Sequence, residues 1–548
     1  MKKNKVFKTA RLGRVPDIDI HRETKSRREE VVAGNVKVLT ESIAAFSEGK
    51  TGSLKQFKFF EEGNMRKGFL MVLAVALVAV LAAPAVAGTD INGFYRAKGY
   101  VTNFDFPAPV AITNDMPSGG YVEQRFRMRF SFGEENVKAV AFFEIDFGSW
   151  GDSAGSAPAT QGGAARNTGG ALGGDKINLE TKNVYVWFKV PNTSLDFTVG
   201  LQNQTDNIFG LLYGGADMAG IFATGKYEPV SWKLGWAKWY ENNVQSWDDM
   251  TLYMASVSFS PSKDLKLGIG AYGIQDDTGK VLSATQQPFG LLGLPTVFGA
   301  AAANTKLIYT IPVDFAWSGS WGALSGFALY QFGTVEFTDS TINDVDISGW
   351  AADLRVDANL GPGKLFVEGL VLSGGDGSGD KYQSVVTASD LDSSPGGDSA
   401  FTRLDYQILM GNADDVNQNT CLIGCAGAVG NNDSPGNGGR GMWTIGAGYT
   451  MKVAEKTTVK FGAGYLAAMK KLQTDRSDSD TDMGWELNAN LNHNIMKGLD
   501  FGLYGAYAQL GDFYKGGSPT GTVVATGSGA NNDPDDVYSL FFRLNYAF

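Results

Sequence analysis

The stretch "RFRMRFSF" sets Phe126, Met128, Phe130 and Phe132 on one face of an extended chain, with Arg125, Arg127, Arg129 and Ser131 on the other. Successive side chains of a strand point to opposite faces, so a period of two marks a strand lying between an apolar and a watery medium. "GWELNANLN" repeats the pattern, with Trp485, Leu487, Ala489 and Leu491 against Glu486, Asn488, Asn490 and Asn492. "GWAADLRVDA" places Trp350, Ala352, Leu354 and Val356 opposite Ala351, Asp353, Arg355 and Asp357. Such segments recur from 90–104 to 537–548 and number about 18, with about 16 as the alternative count.

The connections alternate in length. "GEEN", "PNTS", "YEPV", "SPSKD", "SGSWG", "NLGPG", "VAEK" and "NIMKG" are short, and longer polar stretches lie at about 149–177, 277–303, 374–441 and 512–536. Short turns at one end and long loops at the other characterise antiparallel barrels that cross a membrane. The expected fold is therefore all-β, a transmembrane antiparallel β-barrel with short periplasmic turns and long extracellular loops. Pro312 in "IYTIPVDF" cannot donate to a ladder, so a bulge or loop edge is expected there. Trp236, Trp239, Trp317, Trp321, Trp350, Trp443 and Trp485 fall near strand ends, where interfacial girdles would place them.

The amino-terminal region is of another kind. Met65, Arg66 and Lys67 precede an apolar run from Phe69 to Ala83 that ends in Ala85-Val86-Ala87, the pattern of a secretory signal peptide over 65–87 with cleavage before Gly88. Residues 1–64 are read as an extension upstream of the true start at Met65, a cytosolic leader being the alternative. The barrel is assigned to 88–548, with its largest extracellular loop at about 374–441. Of 47 Lys/Arg and 58 Asp/Glu, 16 and 9 precede Gly88, leaving 31 against 49 and a net charge of −18. Nucleic-acid phosphates call for a basic face, so that partner is excluded.

Charges facing lipid at the bilayer midplane cost ~2–4 kcal/mol each, so Arg125, Arg127 and Arg129 are expected to point into the barrel. A turn at Glu134-Glu135 sets Arg125 opposite Glu144 and Glu123 opposite Asp146. The arginine row then either steers anions along a pore or zips the wall by cross-strand pairs, and both readings stand. The expected pore-lining set is Arg125, Arg127, Arg129, Glu144, Asp146, Asp353, Arg355, Asp357, Glu486 and Asn488. Cys421 and Cys425, the two cysteines of the chain, suit a small disulfide loop in an exported protein.

Catalysis has little material. His493 is the sole histidine after the signal, so no Ser/His/Asp constellation is available. "GIGAYG" matches a dinucleotide fingerprint only by chance, since no helix pattern follows it. Acid groups such as Asp376/Asp380, Asp414/Asp415 and Asp533/Asp535/Asp536 read as solvated loop charge; no metal and no cofactor is assigned.

The chain ends "YSLFFRLNYAF", with Leu540, Phe542, Leu544, Tyr546 and terminal Phe548 stepping by twos. This resembles the β-signal of Gram-negative outer-membrane barrels, and with the signal peptide it makes the chain similar to an outer-membrane porin. "LETKNVYVWFKV…FTVGLQNQ" is more loosely similar to porin-like and alginate-export-like barrels. The resemblance implies a water-filled channel for passive diffusion of small hydrophilic solutes or ions. Its alternatives are a selective channel or exporter for an anionic solute or polysaccharide, and a structural or adhesive barrel. It further implies recognition of the last strand by the barrel-assembly machinery, contact with lipid and lipopolysaccharide, and a homotrimer. In porins a loop often narrows the channel; here the apolar "TDNIFGLLYGGADMAG" would supply Ile208, Phe209, Leu211, Leu212 and Tyr213, with the loop at 277–303 as its rival.

Overall fold

The computed structural model describes residues 88–548 except 105–117, 148–149, 152–178, 242, 279–302, 338–342, 378–379, 392–400, 402, 411–420, 424–435, 472–479 and 516–534. Residues 1–87, residues 279–302 of the rival loop, and Cys425 therefore lie outside the described residues.

Nineteen strands form one sheet that closes on itself. They are β1 (Gly88–Thr102), β2 (Gly119–Glu134), β3 (Val137–Phe147), β4 (Leu179–Lys189), β5 (Leu195–Gln204), β6 (Ala216–Tyr227), β7 (Val230–Tyr240), β8 (Met250–Ser262), β9 (Leu265–Asp276) and β10 (Ala303–Gly319). There follow β11 (Gly322–Phe337), β12 (Val345–Leu360), β13 (Gly363–Leu372), β14 (Lys381–Tyr382), β15 (Met442–Ala454), β16 (Thr457–Ala468), β17 (Asp482–Met496), β18 (Leu499–Leu510) and β19 (Val537–Ala547). β14 is a two-residue strand parallel to β12. The other 18 are antiparallel staves, and β1 pairs with both β2 and β19 to complete the ring. Even the 10-residue staves β5 and β13 suffice to cross a bilayer when tilted, which takes roughly 9–11 residues.

Alternation decides which face is which. Ile91, Phe132, Val184, Leu234, Tyr253, Ile269, Tyr330, Trp350, Leu354, Leu487 and Phe542 are exposed on the outer face. Their strand neighbours turn inward and include buried Lys98, Glu123, Glu144, Asp146, Gln331, Asp353, Glu368 and Glu486. An apolar exterior and a polar interior invert the arrangement of a water-soluble barrel and match one bathed in lipid.

Three local expectations are corrected. The β2–β3 turn falls at Glu135–Asn136, so Arg125 faces Asp146 and Arg127 faces Glu144; the slip moves both strands together and leaves the faces unchanged. Pro312 makes neither bulge nor loop edge: β10 keeps its register with β11 through it, and only the pairing to β9 lapses, between Thr310 and Val313. Trp239 leaves the girdle pattern and packs on Tyr213 inside the barrel, ring centroids 6.4 Å apart.

An aromatic ladder runs across the seam where the ends of the chain meet. Tyr504 stacks on Phe541 at 4.6 Å, Phe541 lies 5.0 Å from Tyr100, and Tyr100 stacks on Tyr121 at 4.6 Å. Lys98 Nζ sits 4.8 Å from the Phe541 ring centre and donates to Tyr100 Oη at 3.1 Å. Four successive staves are thus tied from within.

Candidate functional site: the barrel interior

The interior is divided. A mainly apolar mass occupies the side toward β6–β19, and it is built largely from chain that enters from the loops. The segment 205–215 contributes Ile208, Leu211, Leu212 and Tyr213, all buried, with Phe209 packed against them. Asp206 organises this segment: its two oxygens accept backbone N–H bonds from Ile208 and Gly210 (both 2.8 Å), Leu212 (2.7 Å) and Tyr213 (3.1 Å). Burial pushes the Asp206 carboxyl up to about 6, against the opposite pull of those four donors. One acid thereby holds an apolar turn away from the wall.

The other contributor is the large loop. Its described residues turn into the barrel: Val385, Val386, Leu391, Phe401, Leu404, Tyr406, Ile408, Leu409, Met410, Leu422 and Ile423 are buried. Residues 403–410 form a strap along the wall. Arg403 reaches Asp353 Oδ1 and Glu368 Oε1, both at 2.9 Å, and donates to Ser325 Oγ at 2.8 Å. Arg355 links the same Glu368 (2.9 Å) to Asp357 (2.9 Å). The Tyr406 hydroxyl lies 2.8 Å from Thr444 Oγ1 and donates to the Ile445 carbonyl at 2.9 Å. Further along, Glu486 accepts the backbone N–H groups of Gln407 (2.8 Å), Ile408 (2.9 Å) and Leu409 (2.9 Å), and Asn488 donates to the Asp405 carbonyl at 3.2 Å. Leu422 N–H donates to the Ile408 carbonyl at 2.8 Å, bringing a second strand of loop alongside. Cys421, wholly buried there, is disulfide-bonded.

The opposite side is polar and hollow. A cavity of about 980 Å³ lies against β1–β6. Its lining carries the side chains of Arg127, Arg129, Lys138 and Lys182 with one acidic side chain, Asp217, and the carboxy-terminal residue Phe548, and Gly215 of the inward segment closes one edge. Asn183, Gln202, Asn203 and Gln204 add amides, while Phe142, Tyr185 and Trp187 add rings. Asp217 is engaged by Lys182 Nζ at 2.7 Å and by Asn183 at 2.8 Å. Arg129 donates to Tyr185 Oη at 2.7 Å. The cavity is therefore basic although the chain outside the signal region is acidic.

Of the sequence-derived set, Arg127 and Arg129 border the cavity. Arg125 lies behind it, bidentate to Asp146 at 2.7 and 2.8 Å, and Arg127 pairs with Glu144. Asp353, Arg355 and Asp357 belong to the ion-pair chain around Arg403. Glu486 and Asn488, expected to line open water, lie under the strap instead. Alternation reports which face a residue takes, not what covers that face. Lys138, Lys182, Glu368 and Arg403 escaped the sequence reading. A signal for the strap was present: Gly446 and Gly464 face each other on the inner wall, and a Cβ at Gly464 would collide with Tyr406. Bare glycines on adjacent inward positions mark a place where something else packs.

Residues 300–540 match the family model described as the porin subfamily. That span runs from β10 into β19 and contains the strap. No curated protein matches the sequence. Among solved structures, Pseudomonas aeruginosa OpdQ aligns with a TM-score of 0.46 at 9% identity, over 84% of this chain and 98% of its own. Pseudomonas aeruginosa OccK11 (OpdR) gives 0.43 at 9% identity, over 84% and 96%, and OpdK from the same organism gives 0.43 at 10%, over 84% and 98%. With 18 staves closed into a ring and an apolar outer band, the chain is a closed antiparallel β-barrel that over residues 300–540 is similar to the porin subfamily.

Proposed function

We infer that this chain is a channel through which small hydrophilic solutes cross the outer membrane by passive diffusion. The observation that carries the reading is the polar cavity of about 980 Å³ inside a barrel whose outer face is apolar. No chemistry on the solute is assigned to it. Purified barrel reconstituted into liposomes should let them swell in small sugars or amino acids; swelling no faster than in protein-free vesicles would end the reading.

A second reading narrows the solute to anions. Arg127, Arg129, Lys138 and Lys182 outnumber Asp217 on the cavity wall, and converging cations in a low-dielectric enclosure favour an anionic group. Arg129→Gln with Lys138→Gln should move the reversal potential in a salt gradient toward cation preference. An unchanged potential would leave only the unselective channel.

We further propose that the chain is exported by a cleaved signal, that assembly machinery reads its last strand, and that it forms a homotrimer. Leu540, Phe542, Tyr546 and Phe548 are exposed on the outer face, as a strand presented to assembly machinery in the membrane requires. Amino-terminal sequencing of outer-membrane material and chemical cross-linking would test the signal cleavage and the homotrimer.

A further inference from the structure

The two inward segments come from different loops, and they meet. Arg403 of the strap lies with its guanidinium carbon 3.7 Å from the centre of the Phe209 ring. Phe209 is a non-glycine residue at φ 64°, a conformation that bulky side chains seldom adopt. It is held there by the turn around Asp206, whose carboxylate takes the N–H groups on both sides of it. Phe327 closes the arrangement, 6.2 Å from Phe209 and 6.1 Å from Phe401. A second tie runs nearby: the Ala388 N–H donates to the Leu212 carbonyl at 2.8 Å.

We propose that Arg403 is the keystone of a septum across the barrel interior, and that it determines both the width and the charge preference of the passage. Its planar cation does two things at once. One edge is bonded to the wall through Asp353, Glu368 and Ser325, and one face covers Phe209. Arginine suits this double role because its fork pairs with carboxylates while its face stacks on a ring, and lysine offers only the charge. The septum confines solute to the basic side along β1–β6. It also offsets negative charge on the wall, pairing with Asp353 and sharing Glu368 with Arg355. Arg403 acts here as a positioning residue, through Phe209 and through those acids.

The inference rests on the channel reading, and the two fail differently. Wild-type swelling and conductance test the channel; the variants, measured against wild type, test the septum. In planar bilayers Arg403→Ala should raise single-channel conductance at least twofold and admit larger sugars in liposome swelling. It should also shift the reversal potential toward cations, as Asp353 loses its ion pair with Arg403 and Glu368 keeps only Arg355. Arg403→Lys should restore the reversal potential while leaving the conductance raised, a split that general loosening of the barrel would not produce. Phe209→Ala leaves every wall ion pair in place, so it reads the width alone should Arg403→Ala not fold. Conductance, size limit and reversal potential all at wild-type values in the folded Arg403→Ala and Phe209→Ala proteins would overturn the proposal.

Discussion

Tyr406 packs directly over Gly464, and its ring and hydroxyl fill the space that any side chain there would need. The wall was therefore shaped to receive the strap, which is as much a part of the native interior as the staves are. Adding bulk at a packed site typically costs about 1–3 kcal/mol, and here the cheapest relief is to lift the strap off the wall. Gly464→Val should keep the folded, heat-modifiable band on a gel while increasing single-channel conductance. A folded variant with wild-type conductance would mean that the strap does not limit the passage.

Glu486 anchors the same strap by its charge. Three consecutive backbone donors on one carboxylate form a charge-assisted cluster, and such bonds are about twice as strong as neutral ones. Glu486→Gln conserves shape but removes the charge and turns an amide N–H₂ toward N–H groups. The expected loss is about 2–3 kcal/mol of local stability. Hydrogen exchange should accelerate at the amides of Gln407, Ile408 and Leu409 and remain slow in β18. Equal acceleration in β18 would show that Glu486 supports the whole barrel instead.

The extent to which the sequence discloses this design follows from what a period of two can encode. The face of every residue in "RFRMRFSF" and "GWAADLRVDA" is legible, because a charge turned to lipid is heavily penalised. Register is less so: the hairpin at Glu135–Asn136 differs from one at Glu134-Glu135 without exposing a single charge to lipid. The occupants of the interior are legible least of all. Glu486, Asn488 and Asp353 take the water-facing side as expected and are then covered by chain more than 40 residues away in sequence. The apolar "IFGLLYGG" did announce its inward course, since Ile208, Leu211 and Leu212 have no place in a solvated loop. The strap gave a fainter sign, because its anchors, Arg403 and Gln407, are polar and look like ordinary loop residues.

Asp206 links pH to stability. Burial pushes its folded carboxyl up to about 6 from the ordinary value of 3.8, so the native state holds an additional proton between these limits. The stability contributed by that proton is complete below about 4 and is lost as pH rises through about 6. The urea midpoint of the wild type, minus that of Asp206→Asn, should therefore fall between pH 4 and pH 6. A difference that is flat or rises over this window would place the Asp206 titration elsewhere.

The seam between β1 and β19 depends on stacked rings. Phe541 is 1% exposed, stacks on Tyr504 and approaches Tyr100 and Lys98. Phe541→Ala should cost about 3–5 kcal/mol by leaving a cavity in that ladder. The check is the urea midpoint of the lipid-reconstituted barrel, beside Phe542→Ala. Phe542 faces outward one position away and should cost less; equal losses would deny the ladder a special role at the seam.

The cavity along β1–β6 is expected to open into a water-filled path through the barrel. Single-channel recording of the purified, folded chain in a planar bilayer under a salt gradient tests it most directly. Discrete, ohmic conductance steps are expected, with a reversal potential on the anion side given the wall of Arg127, Arg129, Lys138 and Lys182. Folded protein that inserts and conducts nothing would contradict it.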